Sequence, residues 1–211
     1  MAFPDAKAIL FDLDGTLLDS FASHLSAYQA AFAKLGLHLT EAEFHRCYHP
    51  DWNLFYQAAH VPAGRWETLS AYWREEVAVR QTPPPFPGIR AALEVLARHA
   101  DLAVVTSGSR HRVDADLKGA GLVSHFGVII TGDDVGAPKP APDGVRLALR
   151  ALGVPPAEAL FVGDTPVDEE MADRAGVRFI GVASAFAAGR FTGVHPPLTS
   201  VVTLPGVLGW M

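Results

Sequence analysis

The chain has 211 residues, 49% of them hydrophobic, a formal net charge of −6 and a single cysteine, Cys47. That length holds one sizeable α/β core, alone or with a small insert. The lone cysteine excludes an internal disulfide and fits a reducing compartment, and the acidic balance leaves no broad basic field for a polyanion, so nucleic acid is not expected as a partner, whereas a small phosphorylated molecule at a local positive site is.

No apolar run approaches the ~20 residues of a membrane helix. The stretch Met1 to Asp5 has neither the basic nor the apolar region of a signal peptide. A cytoplasmic protein without membrane association is expected, as a monomer or a homodimer.

The first element is the apolar run Ala8-Ile9-Leu10. A run without polar alternation reads as a central parallel strand, covered on both faces. Phe11-Asp12-Leu13-Asp14-Gly15-Thr16 follows at once, so Asp12 and Asp14 leave the carboxyl end of that strand on one side, with Leu13 turned away. Taken alone, an Asp-x-Asp-Gly segment is also an ordinary turn; the rest of the chain decides between the two.

From Ser20 to about Gly36, Phe21, Leu25, Tyr28, Phe32 and Leu35 recur at helical spacing and a glycine closes the stretch. Further helices are predicted at Glu41 to Tyr48 and Gly64 to Arg80, with no strand between them. The cluster Thr82-Pro83-Pro84-Pro85-Phe86-Pro87-Gly88 ends the block. Residues 17–86 therefore read as an all-helical insert, with 1–16 and 87–211 forming the core and hinges near Leu17 to Ser20 and at the prolines.

After Gly88 the pattern alternates. Helix Ile89–His99 precedes strand Leu102–Val105, helix Arg110–Ala120 and strand Val128–Ile130; then come helix Asp143–Leu152, strand Ala159–Val162, helix Val167–Ala175 and strand Phe179–Val182. Such alternation predicts right-handed crossovers and a three-layer, Rossmann-like parallel sheet. Ser200 to Val202 is expected as a short edge strand and Leu204 to Met211 as a closing turn of helix.

In a parallel sheet the strand ends lie on one edge, so distant residues can meet there. This brings together Asp12 and Asp14, then Thr106-Ser107-Gly108-Ser109, then Lys139 between prolines, then Gly163-Asp164-Thr165 with Asp168 beyond. The chemistry that uses such a set is phosphoryl transfer through a carboxylate nucleophile. Asp12 is the candidate nucleophile, and Mg²⁺ is needed to bring it up to a phosphate dianion, with Asp164 completing the charge balance. The Thr106 hydroxyl and the N–H groups around Ser107 and Gly108 suit the non-bridging phosphate oxygens. Lys139 adds a positive charge where electron density builds. Asp14 can protonate the leaving oxygen and later take a proton from water.

Taken in order, Asp12 to Thr16, Thr106, Lys139-Pro140-Ala141-Pro142, and Gly163, Asp164 and Asp168 resemble the four motifs of the haloacid dehalogenase superfamily, close to its phosphoglycolate phosphatase-like members. The likeness spans the whole chain and puts the helical insert where that family carries a small cap. It implies that Asp12 and Asp164 ligate Mg²⁺ through side chains and Asp14 through its backbone carbonyl, with Asp168 supporting the metal from behind. It also disfavours halide release, because Asp14 stands where the halide-releasing members carry another residue. Pro166 and the pair Glu169-Glu170 depart from the fourth motif's usual companions.

The implied function is hydrolysis of a small phosphorylated metabolite, phosphoglycolate-like or a sugar phosphate. A phosphomutase of the same superfamily and a non-enzymatic phospho-ligand module are the alternatives. Other features read as structural: His45 and His49 as a helix end, the aromatic residues Trp52, Tyr56, Trp66, Tyr72 and Trp73 as the insert's core, and Glu75-Glu76 and Arg110-His111-Arg112 as solvated helix faces.

Overall fold

The structure, a computed structural model, describes residues 6–186, 191–192 and 196–210. Five strands, β1 (Ala8–Phe11), β2 (Asp101–Val105), β3 (Val128–Ile130), β4 (Ala159–Gly163) and β5 (Arg178–Gly181), form one sheet in the order β3-β2-β1-β4-β5. All four pairings are parallel.

Because β1 is central, its alternating side chains are buried on both faces. Ile9 and Phe11 pack under α5 (Ile89–Leu96), α6 (Arg110–Ala120) and α9 (Leu204–Leu208). Ala8 and Leu10 pack under α7 (Asp143–Leu152) and α8 (Pro166–Ala175). This is the expected three-layer α/β arrangement.

Register fixes the edge where the chemistry gathers. Phe11 lies opposite Val104 on one side and Val162 on the other, so the chain leaves β1, β2 and β4 at nearly the same height. Asp12, Thr106 and Asp164 each stand just past these points. The strand order reverses around β1, and such a switch point opens a crevice at the carboxyl ends.

Between β1 and α5 lie four helices, α1 (Phe21–Lys34), α2 (Glu41–Cys47), α3 (Trp52–Ala58) and α4 (Trp66–Val79). They enclose an apolar cluster that includes Tyr28, Phe32, Phe44, Phe55, Tyr56 and Leu69. Thr40 and Glu43 close a reciprocal capping box at the start of α2.

The helix α3 is absent from the sequence reading. Its one clear start signal is Asp51, whose carboxylate accepts from the Asn53 N–H at 2.9 Å. The expected edge strand at Ser200–Val202 is corrected: Val201–Thr203 is a 3-10 turn leading into α9, with Ser200 capping it through the Val202 N–H. The segment instead meets the sheet at a single bridge between Leu198 and Val182. Met211 lies outside the described residues. Among the described residues no helix is long and apolar enough to cross a membrane.

Candidate active site

The four sequence segments converge at the carboxyl edge of the sheet. The Lys139 ammonium bridges two carboxylates, donating to Asp12 Oδ1 at 2.5 Å and to Asp168 Oδ1 at 2.7 Å. All three side chains are buried. Asp12, Asp164 and Asp168 each bring an oxygen within 4.8 Å of the others.

Three carboxylates so close, with one ammonium between them, are short of positive charge. Burial pushes the Asp12 carboxyl up to about 7; Lys139 opposes this, and the Asp168 and Asp14 charges add to it. Burial, with the Asp12 and Asp168 charges, also holds Asp164 well above the usual carboxylate range. Lys139 is shifted upward: burial works against its charge, and Asp12 and Asp168 outweigh that. A buried set of oxygen donors with surplus negative charge fits a hard divalent cation.

Gly15 keeps this corner open. Its φ of +76° lies in the left-handed region, and a Cβ there would fall inside the Asp164 carboxylate and against Phe186. Asp164 is further oriented by Thr16, whose hydroxyl donates to Oδ1 at 3.3 Å, and by the Ser184 hydroxyl on Oδ2. Asp168 is fixed by the capping box of α8, in which the Thr165 hydroxyl donates to its Oδ2 at 2.6 Å. Lys139 and Thr165 thus engage both Asp168 oxygens.

The Asp14 side chain has its own partners outside this cluster. Arg112 grips it with two hydrogen bonds, Nη2 to Oδ2 at 2.7 Å and Nη1 to Oδ1 at 3.2 Å, and His24 Nε2 lies 3.2 Å from Oδ1. Burial opposes ionisation here, but the Arg112 and His24 charges outweigh it and hold the carboxyl well below its usual range.

Thr106 accepts from the Gly108 N–H at 3.2 Å, so its own hydroxyl proton is free to point at a ligand, while the Gly108 N–H is used within the loop. The Ser107 hydroxyl is buried without a hydrogen-bond partner among the described residues.

Asp12, Asp14, Thr106, Lys139 and Asp164 line a small cavity of about 80 Å³. A larger one, about 470 Å³, adjoins it through Thr106, Ser107, Gly108 and Lys139, and extends between the sheet edge and Trp52, Tyr56, Ser70 and Trp73 of α3 and α4.

Residues 9–182 match the family model described as haloacid dehalogenase-like hydrolase. The chain belongs to the haloacid dehalogenase-like hydrolase family. Among the relatives of this hydrolase, a phosphoglycolate phosphatase of Aquifex aeolicus is 34% identical over 183 residues, covering 82% of each chain. Pyrophosphatase PpaX of Oceanobacillus iheyensis is 32% identical over 182 residues, 84% of this chain and 83% of that one. The crystal structure of CbbY from Rhodobacter sphaeroides in complex with phosphate superposes with a TM-score of 0.79 at 28% identity, over 97% of this chain and 99% of that chain.

Four site neighbours in this hydrolase escaped sequence reading. Arg112 does not belong to a solvated helix face: it is buried, 8% exposed, against Asp14 and Asp116. His24 and Ser184 carry no motif, and their partners come from other segments. Phe186, beyond the last strand, inserts into the helical cluster beside Phe21, His24 and Tyr48. The His45 and His49 pair is engaged elsewhere, His45 stacked on Phe21 and His49 Nδ1 accepting from the Asp51 N–H.

Proposed function

We propose that this hydrolase is a Mg²⁺-dependent phosphatase of small phosphorylated metabolites, phosphoglycolate-like or sugar phosphates, acting through a phosphorylated Asp12. The observation that carries the reading is the buried Asp12–Lys139–Asp168 bridge with Asp164 beside it. A mere binding module has no use for an unshared carboxylate oxygen facing the small cavity. The relative named as a phosphoglycolate phosphatase supports an ester as substrate.

In this reading Asp12 attacks phosphorus as the ester P–O bond breaks, and Asp14 gives its proton to the departing oxygen. Water then attacks the acyl phosphate, Asp14 takes the water's proton, and inorganic phosphate leaves with Asp12 restored. The side chains of Asp12 and Asp164 and the backbone carbonyl of Asp14, with Asp168 behind, would hold Mg²⁺, which would supply charge neutralisation for the phosphate oxygens. Thr106, the backbone around Ser107 and Gly108, and Lys139 hold the transferring group. The Arg112 fork favours ionised Asp14, the form that accepts the water's proton. A dianionic ester in the small cavity opposes that ionisation and so favours the protonated form needed first.

Residues 17–86 act in this reading as a cap over the core of 1–16 and 87–211, moving about Leu17–Ser20 and the proline cluster to exclude bulk water and release product. The larger cavity, of a size ordinary for small-molecule sites, gives the leaving group room beyond glycolate. The buried free thiol of Cys47 agrees with a cytoplasmic setting.

A metabolite panel assayed for phosphate release with and without Mg²⁺ tests the reading. Mg²⁺-dependent release from alkyl phosphates is expected. Conversion of a sugar 1-phosphate into its isomer without free phosphate would replace it by a mutase.

A further inference from the structure

A run of buried charge leads away from Asp14. Beyond its two bonds to Asp14, Arg112 donates through Nη1 to Asp116 Oδ2 at 3.1 Å, and the same oxygen accepts from Arg80 Nη2 at 2.7 Å. Asp14, Arg112, Asp116 and Arg80 thus alternate in sign, with side chains no more than 12% exposed. Charges this deep are tolerated only when each is paired, so moving one member disturbs the next.

The chain is built by the loop as well as by the ion pairs. A Cβ on Gly108 would fall inside the Arg112 guanidinium, so this glycine makes the space in which Arg112 reaches Asp14. At the far end, Arg80 is the C-cap residue of α4, where the helical segment leads into the prolines.

We propose that Arg112 is a positioning residue that aims the Asp14 carboxyl at the leaving oxygen, and that Asp116 and Arg80 hold Arg112 in place. The proposal rests on the phosphatase reading, in which Asp14 donates a proton to that oxygen as the ester bond breaks and the bond to Asp12 forms. The planar guanidinium suits this role because two parallel bonds fix the carboxylate's plane as well as its place. His24 touches one Asp14 oxygen only. Because Arg80 closes α4, displacement of that helix is transmitted to Asp14 through three ion pairs.

The leaving group provides the test. An alkoxide needs its proton as it departs, whereas p-nitrophenolate leaves without one. Comparing kcat/KM for phosphoglycolate and glucose 6-phosphate with that for p-nitrophenyl phosphate therefore isolates what Asp14 gives to the first step. Arg112→Met should lose about 100-fold or more on the alkyl esters and under about fivefold on the aryl ester.

Arg112→Lys, which keeps the charge but not the fork, should fall between wild type and Arg112→Met. Arg80→Gln, remote from the cavity, should show the same selectivity at roughly three- to tenfold. Equal losses on both ester classes, or no loss, would overturn the positioning role while leaving the phosphatase reading intact. A wild-type chain inactive on every ester would instead remove that reading and the proposal together.

Discussion

The sheet edge and the helical segment are both buried, but by opposite means. At the edge, Asp12, Asp164, Asp168 and Lys139 are held by ion pairs and caps in a place where burial disfavours charge. In the segment of α1 to α4, burial is the stabilising term itself: Tyr28, Phe44 and Phe55 pack ring against ring, with centroids 4.8 to 5.7 Å apart. A site of the first kind is poised to bind charge, and the interior of a region of the second kind, away from residues such as His24 that reach the cavity, can give up a ring without removing a reacting group. Phe186 packs where the two adjoin.

The sharpest way to break this comparison is Asp12→Asn. The isosteric change removes the proposed nucleophile and little packing, so turnover of p-nitrophenyl phosphate should fall by about 10⁴-fold or more while the melting temperature is kept or raised. A variant retaining more than about a hundredth of wild-type kcat would place the nucleophile elsewhere.

Lys139→Met tests the charge side of the contrast. It leaves Asp12 and Asp168 buried without their shared cation, at a cost of roughly 3–5 kcal/mol at neutral pH in the absence of Mg²⁺. Urea titrations should show that deficit shrink toward about pH 5, where the carboxyls take up protons. A deficit independent of pH would mean that the ammonium contributes by packing alone.

Phe55→Ala tests the other region. Phe55 is wholly buried in the aromatic cluster, and its truncation should cost about 3–5 kcal/mol in denaturant titrations. Turnover of p-nitrophenyl phosphate per folded molecule should change by less than roughly tenfold, because no reacting group rests on this ring. A loss of turnover like that of Asp12→Asn would show that the two regions are not separable.

The smallest effect expected is the linkage between protons and metal. Asp12 titrates at about 7 when folded, against the ordinary aspartate value of 3.8 that applies once the chain unfolds. The folded state therefore holds more protons across that interval, and the metal-free protein loses stability as pH rises through it. A divalent cation competes with those protons. The rise in melting temperature on adding Mg²⁺ should accordingly be larger at about pH 7.5 than at about pH 5.5. An equal rise at both pH values would show that the cation binds away from these carboxylates.

Much of this was legible in the chain. Alternation of apolar runs with amphipathic stretches gave the parallel sheet, because strands and helices have different periods. Polar residues just past the strands gave Asp12, Thr106 and Asp164, and the proline-flanked loop beyond the third gave Lys139, because parallel strands end on one edge. The missed helix Trp52–Ala58 is two turns long and rich in aromatics, so its period hardly repeats. Arg112 looked like surface because Arg110 and His111 beside it are exposed or half-exposed. Its true partners lie 98 residues back at Asp14 and four residues on at Asp116.

By itself the sequence determined which residue types stand at strand ends and where the longer, periodic helices lie, since both follow from local spacing and backbone preference. Only the tertiary structure decided which charges are paired. The partner of each carboxylate lies on another strand or helix, and whether Asp14 faces a cation, a histidine or water depends on how α1 and α6 dock at the edge of the sheet.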